Sequence, residues 1–291
     1  MPHIVDTLIE ERAGRLMRNR LVWRFVQSSL YPLLGYQQAV DLVETVKSMS
    51  ALEIFHHLTA MLEMQVEVEG LANLPAAGAA ILMPNHPAGI ADGVAVFDAI
   101  RSVREDITFF ANRDAIRAAP ELEQMIVPVE WVNERRTRQR SRETVKGMAR
   151  AFREERLIVI FPSGRLAQPT LKGLIERPWQ ATAINLANRY DCPVIPMHIS
   201  GRNSWVYYLF YLLHDELRDM TLFRELLNKK QQRYQLTLAH PFSTRAAMAA
   251  ENLDAETLTR RLRDFVAEGI PKGERRFGPG IDPEQVQNSC S

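Results

Sequence analysis

Seven short strand-like segments alternating with helix-spaced stretches constrain this chain to an α/β architecture. The segments are Met64–Glu69, Ala79–Met83, Ile107–Ala111, Ile126–Trp131, Leu157–Phe161, Val194–Ile199 and Tyr234–Ala239. Helix-like spacing fills residues 92–103, 114–124, 141–155 and 178–190 between them. Ala79–Met83 is apolar at every position, with Pro75 and Gly78 before it and Pro84 after it, and therefore reads as a buried strand. A sequence that switches repeatedly between these two periods predicts one α/β domain with a mixed, largely parallel central sheet flanked by helices.

Around that domain, residues 1–63 read as an amphipathic helical pair broken near Tyr31-Pro32 and Gly35, and 271–291 as a loose polar tail. The amino-terminal helices are read either as packing on residues 64–270 or as a lipid contact. In the second reading Trp23, Phe25, Leu30 and Tyr31 dip into the interface beside Arg15, Arg18, Arg20 and Arg24. Trp205–Leu213, the densest apolar run, reads first as core and alternatively as an acyl-chain groove or membrane contact. A chain of 291 residues with 46% hydrophobic content can bury a full core. Its net charge of +1 gives no electrostatic case for nucleic acid. Cys192 and Cys290 suggest no disulfide framework, no metal-ligand spacing is visible, and no metal is expected. Met1–Arg20 lacks the apolar core of a secretory signal, and no window approaches a bilayer-spanning length. These features predict a cytoplasmic protein peripheral to the inner face of the membrane.

The chemistry concentrates in Asn85-His86-Pro87-Ala88-Gly89-Ile90-Ala91-Asp92. The strand before it and the helix-like spacing after it put His86 at a strand end and Asp92 at a helix start. A carboxylate that accepts from one imidazole nitrogen fixes the tautomer and leaves the other nitrogen as a base. The plain alternative is that Asp92 caps the helix and His86 is an ordinary loop residue.

This stretch resembles the first signature block of the glycerolipid acyltransferase superfamily, which contains the 1-acylglycerol-3-phosphate acyltransferases. The usual spacing has four residues between the histidine and the aspartate, and this chain has five. Leu157–Arg165, with Phe161-Pro162-Ser163-Gly164-Arg165, is similar to the third block, usually Phe-Pro-Glu-Gly-Thr-Arg. Ser163 stands where most members carry glutamate, and Arg165 comes one position early. Val194–Gly201 resembles the fourth block, Val68–Pro75 the lead-in to the first, and Phe109–Arg113 with Ile126–Val129 the second.

The resemblance implies an O-acyltransferase that moves a fatty acyl group from coenzyme A or acyl carrier protein to a lyso-lipid hydroxyl. His86 is then the base and Asp92 its partner, with no cofactor. Asn85, Ser163, Gly164, Arg165 and Lys172 fall on substrate-binding positions, and Arg113, at an apolar strand end, is a further anion contact. Backbone N–H groups near Gly164 are expected to hold the oxyanion. No Gly-x-Ser-x-Gly elbow surrounds Ser163, which argues against a serine nucleophile. Arg135, Arg136, Arg138, Arg140 and Arg142 form either a dock for an acidic carrier or a solvated helix start. Lysophosphatidic acid or a glycerol-3-phosphate-type molecule is the default acceptor, and the altered third block makes a lyso-aminolipid a competitor. A thioester hydrolase and a non-catalytic lipid binder are the alternatives from other classes.

Overall fold

The computed structural model describes residues 3–129, 137–171 and 173–278. All seven predicted strands form, and they assemble into one sheet. They are β1 (Gln65–Glu69), β2 (Ala80–Pro84), β3 (Ile107–Asn112), β4 (Ile126–Val129), β5 (Leu157–Ile160), β8 (Val194–Ser200) and β9 (Arg233–Leu238). A separate two-stranded hairpin, β6 (Gln168–Thr170) with β7 (Gly173–Ile175), extends the third signature block and has no counterpart in the sequence expectations.

The sheet order is β1-β9-β8-β2-β5-β3-β4. Only β8 and β9 pair antiparallel, so β8, β2, β5, β3 and β4 all run the same way and end on one edge. Open parallel sheets place their chemistry outside those carboxyl ends. The three segments that carry His86, Ser163 and Arg113 leave β2, β5 and β3 there.

The continuous apolar character of β2 follows from burial on both faces. Ala80 and Leu82 point into a core with Phe97 and Ile100 of the helix Ile90–Ile100 and Phe55 of the helix Ala51–Leu62. Ile81 and Met83 point the opposite way, toward Ile184 of Thr182–Tyr190 and Leu258 of Ala255–Asp264. A strand with period two can serve two cores only if every position is apolar.

Three segments differ from expectation. The amino-terminal region is not a simple helix pair: it breaks into Ile4–Glu10, Arg20–Phe25, Tyr31–Leu33, Tyr36–Val46 and Ala51–Leu62, with Gly35 left-handed at φ 72°. Tyr31 is buried and stacks on Tyr36, and Trp23 meets it edge-on, so these two rings face the protein. Leu21 and Phe25 face outward instead. Trp205–Leu213 is a helix whose Val206, Tyr207 and Phe210 are buried while Trp205, Leu212 and Leu213 are exposed, so it is core on one side only. The tail is packed as far as it is described: Phe277 lies against Phe242 and Phe265, and Arg275 pairs with Glu69. Residues 279–291 lie outside the described residues.

Because Leu82 is fully buried in the center of the sheet, Leu82→Ala is expected to lower unfolding free energy by about 2–5 kcal/mol in a denaturant titration.

Candidate active site

The His86 loop is built by a carboxylate. Asp92 is the third residue of the helix Ile90–Ile100, and its side chain is wholly buried. Its Oδ2 accepts from His86 Nδ1 at 2.9 Å, Ala88 N at 2.8 Å and Gly89 N at 2.9 Å. Asp92 thus caps its helix and holds the imidazole at once, and the two sequence readings coexist. The five intervening residues fit because Gly89 adopts φ 83°, ψ −131°, a conformation essentially restricted to glycine.

The hydrogen bonds also assign the tautomer. An ionised carboxylate only accepts, so Nδ1 carries the proton and Nε2 keeps its lone pair. Nε2 has no protein partner among the described residues, and the side chain is 17% exposed. The ring packs on Phe161, centroids 4.3 Å apart. The arrangement is an imidazole held by a buried carboxylate, open at Nε2, at the carboxyl edge of the parallel strands.

Asn85 does not face that opening. Its amide donates to Ile199 O at 3.0 Å and accepts from Ile199 N at 2.6 Å, stapling the loop to the end of β8.

The segment after β5 wraps the same loop. Ala167 N donates to His86 O at 2.8 Å. Ser163 is buried, and its hydroxyl donates to Arg165 O at 2.8 Å. The Gly164 amide donates to Phe161 O at 3.0 Å, which closes the turn. Arg165 is exposed, and its guanidinium has no partner among the described residues. Arg113 is engaged: its Nη2 lies 2.8 Å from Glu143 Oε2 on the helix Arg138–Arg153. Lys172, Arg135 and Arg136 lie outside the described residues.

One acidic residue was invisible in the sequence. Glu176, buried beside the loop, accepts from His86 N at 3.2 Å and from Trp179 Nε1 at 2.9 Å, and the Ser163 hydroxyl borders it. The position that departs from the Phe-Pro-Glu-Gly pattern therefore touches a carboxylate supplied thirteen residues later. Burial pushes the Glu176 carboxyl above the ordinary carboxylate range, against the pull of its Trp179 and His86 hydrogen bonds. Arg177, the next residue, donates to Leu166 O and to Tyr211 on the helix Trp205–Leu213.

A family model described as Acyltransferase matches residues 65–200. The chain is 22% identical over 244 residues to a lyso-glycine lipid O-acyltransferase of Phocaeicola vulgatus, covering 81% of this chain and 85% of that one. It is 22% identical over 204 residues to a protein of the same name from Bacteroides thetaiotaomicron, covering 70% and 72%. The crystal structure of the 1-acyl-sn-glycerophosphate acyltransferase PlsC from Thermotoga maritima superposes with a TM-score of 0.50 at 15% identity, covering 92% of this chain and 100% of that one. At that identity the match bears on the fold: the whole of the solved chain has a counterpart here.

Nitrogen NMR of histidine-labelled protein is expected to show neutral His86 as the Nδ1–H tautomer. Asp92→Ala should remove that preference, and an unchanged tautomer in the variant would break the assignment.

Proposed function

We propose that residues 65–200, which match the Acyltransferase family model, form a domain that transfers a fatty acyl group from a thioester to the hydroxyl of a lysolipid. The observation that carries this reading is the 2.9 Å contact between His86 Nδ1 and the buried Asp92 carboxylate, with Nε2 left open. In the proposed step His86 Nε2 takes the acceptor's hydroxyl proton as that oxygen attacks the thioester carbonyl carbon. Asp92 stabilises the imidazolium that forms. The carbon–sulfur bond then breaks, and His86 returns the proton to the departing thiolate. The products are an ester and a free thiol.

The acceptor we favour is a lyso-aminolipid with an amino-acid headgroup. Its support is the name shared by two relatives that match over most of their own length. The exposed, unpaired Arg165 guanidinium suits the carboxylate of such a headgroup. Arg113 would have to give up Glu143 to do the same. The donor is an acyl thioester carried by coenzyme A or acyl carrier protein.

A lipid acceptor implies work at a bilayer surface, and the exposed apolar side chains support peripheral binding there. Leu21 and Phe25 are 77% and 62% exposed beside Arg18, Arg20 and Arg24, and Trp205 and Leu212 are 74% and 81% exposed. Both groups belong to one packed unit, because Val26 and Tyr31 share a core with Val206 and Phe210. Among the described residues no helix is long and apolar enough to cross a membrane. On this reading the basic and apolar surface rests on the anionic inner face of the membrane.

Purified protein given palmitoyl-coenzyme A is expected to release thiol when lyso-glycine lipid is present and much less with lysophosphatidic acid. His86→Ala should lose about 10²–10⁴-fold in rate while keeping its circular dichroism. Release without any acceptor would mean a hydrolase, and none with either acceptor would favour a binding protein. Phe25→Glu/Leu212→Glu should sediment less with vesicles containing phosphatidylglycerol, and unchanged sedimentation would remove the membrane contact.

A further inference from the structure

Behind the Asp92 helix lies a second buried charge cluster. Lys229 is 0% exposed, and its ammonium donates to Glu225 Oε2 at 3.2 Å and Asn228 Oδ1 at 3.0 Å. Glu225, 2% exposed on the helix Leu222–Leu227, also accepts from the Ser204 amide at 2.7 Å and the Ser204 hydroxyl at 2.5 Å.

Asn203 joins this cluster to the His86 turn. With its amide oriented to satisfy its neighbours, the nitrogen donates to Ala88 O at 3.1 Å and to Glu225 Oε2 at 3.2 Å. The Ala88 amide is in turn one of the donors to Asp92 Oδ2. A continuous path thus runs Lys229, Glu225, Asn203, Ala88, Asp92, His86.

Among the described residues the other neighbours add no second buried cation and one further buried carboxylate, Glu176, which accepts from His86 N at 3.2 Å and is unchanged in the variants below. From β9, Tyr234 is buried within electrostatic reach of both Asp92 and Glu225. Its hydroxyl and Asp92 Oδ1 both lack hydrogen-bond partners among the described residues. From the helix Trp205–Leu213, Tyr208 accepts from Asn203 N at 3.0 Å and also faces the two carboxylates. Arg224 stands at the rim, 3.7 Å from Glu225 and 25% exposed. Burial pushes the Lys229 ammonium pKa down, opposed by Glu225 and, more weakly, by Asp92.

Two fully buried carboxylates therefore share one fully buried ammonium. A buried charge is costly unless it is paired. The negative charge left over at rest is offset when His86 becomes an imidazolium. We infer that Lys229 and Glu225 are positioning residues for acyl transfer: through Asn203 and Ala88 they set the charge balance in which Asp92 holds His86. The inference rests on His86 being the base.

The two partners make opposite predictions, which a purely structural role would not. Removing the ammonium takes a positive charge from behind the His86–Asp92 pair, so the acid limb of kcat/KM should move to higher pH. Removing the Glu225 charge should move it to lower pH. With palmitoyl-coenzyme A and lyso-glycine lipid, Lys229→Met is expected to raise the acid midpoint by about one unit, a roughly tenfold loss of kcat/KM below it. Glu225→Gln should lower the midpoint, and Lys229→Arg should restore the wild-type value. If Lys229→Met does not fold, Glu225→Gln decides alone, since it retains one of the two oxygens that accept from Ser204. Shifts in one direction, or losses equal at every pH, would overturn the inference. His86→Ala runs in parallel: turnover surviving there sinks the base assignment itself, whereas a dead His86→Ala with unmoved midpoints sinks only this proposal.

Discussion

A single carboxylate oxygen organises the His86 loop at the carboxyl edge of the sheet. Asp92 Oδ2 takes hydrogen bonds from one ring nitrogen and two consecutive backbone amides. Those amides belong to the start of a helix, where free N–H groups and the helix dipole already favour negative charge. A fully buried carboxylate without such donors would neutralise or move. The helix start thus does for Asp92 what solvent does for an exposed acid, and Asp92 in turn fixes the ring. Separating the helix cap from the partner of the imidazole makes little sense here, because the same atom performs both roles.

The remainder of the edge is arranged to keep that loop from moving. Asn85 locks it to β8 through two hydrogen bonds, Ala167 locks its carbonyl from the segment after β5, and Glu176 accepts its amide. Each comes from a different part of the chain, so the imidazole is over-determined. Glu176 further explains why serine is tolerated at 163. A carboxylate arrives at that corner from the far side of the β6–β7 hairpin, and a second one at 163 would place like charges together in a buried site.

The central strands were legible because parallel strands buried on both faces must be apolar throughout, and β2 and β5 are. The His86–Asp92 pair was legible from a turn motif, and the backbone of Gly89 accommodates its added residue. Glu176 carried no local signal, because what defines it is a contact across 90 residues of sequence. The helix Trp205–Leu213 misled because its apolar residues surround the axis, and periodicity cannot separate a core helix from one that is apolar toward both protein and surroundings. Arg113 looked free only because Glu143, thirty residues on, is its partner.

The exposed and the buried features belong to one machine if Arg177 is followed outward. Its guanidinium holds Leu166 O in the loop that covers Gly89 and also Tyr211 on the helix whose outer face carries Trp205 and Leu212. Glu176, one residue earlier, holds His86. Few bonds therefore connect that outer helix to the His86 loop, and ordering of the helix at a surface would steady the loop. A base fixed to within hydrogen-bond tolerance gains most when the substrate arrives along a defined plane. On the proposed reading, the apolar outer face and the His86 turn meet one requirement: Nε2 held at constant depth beneath a lipid surface.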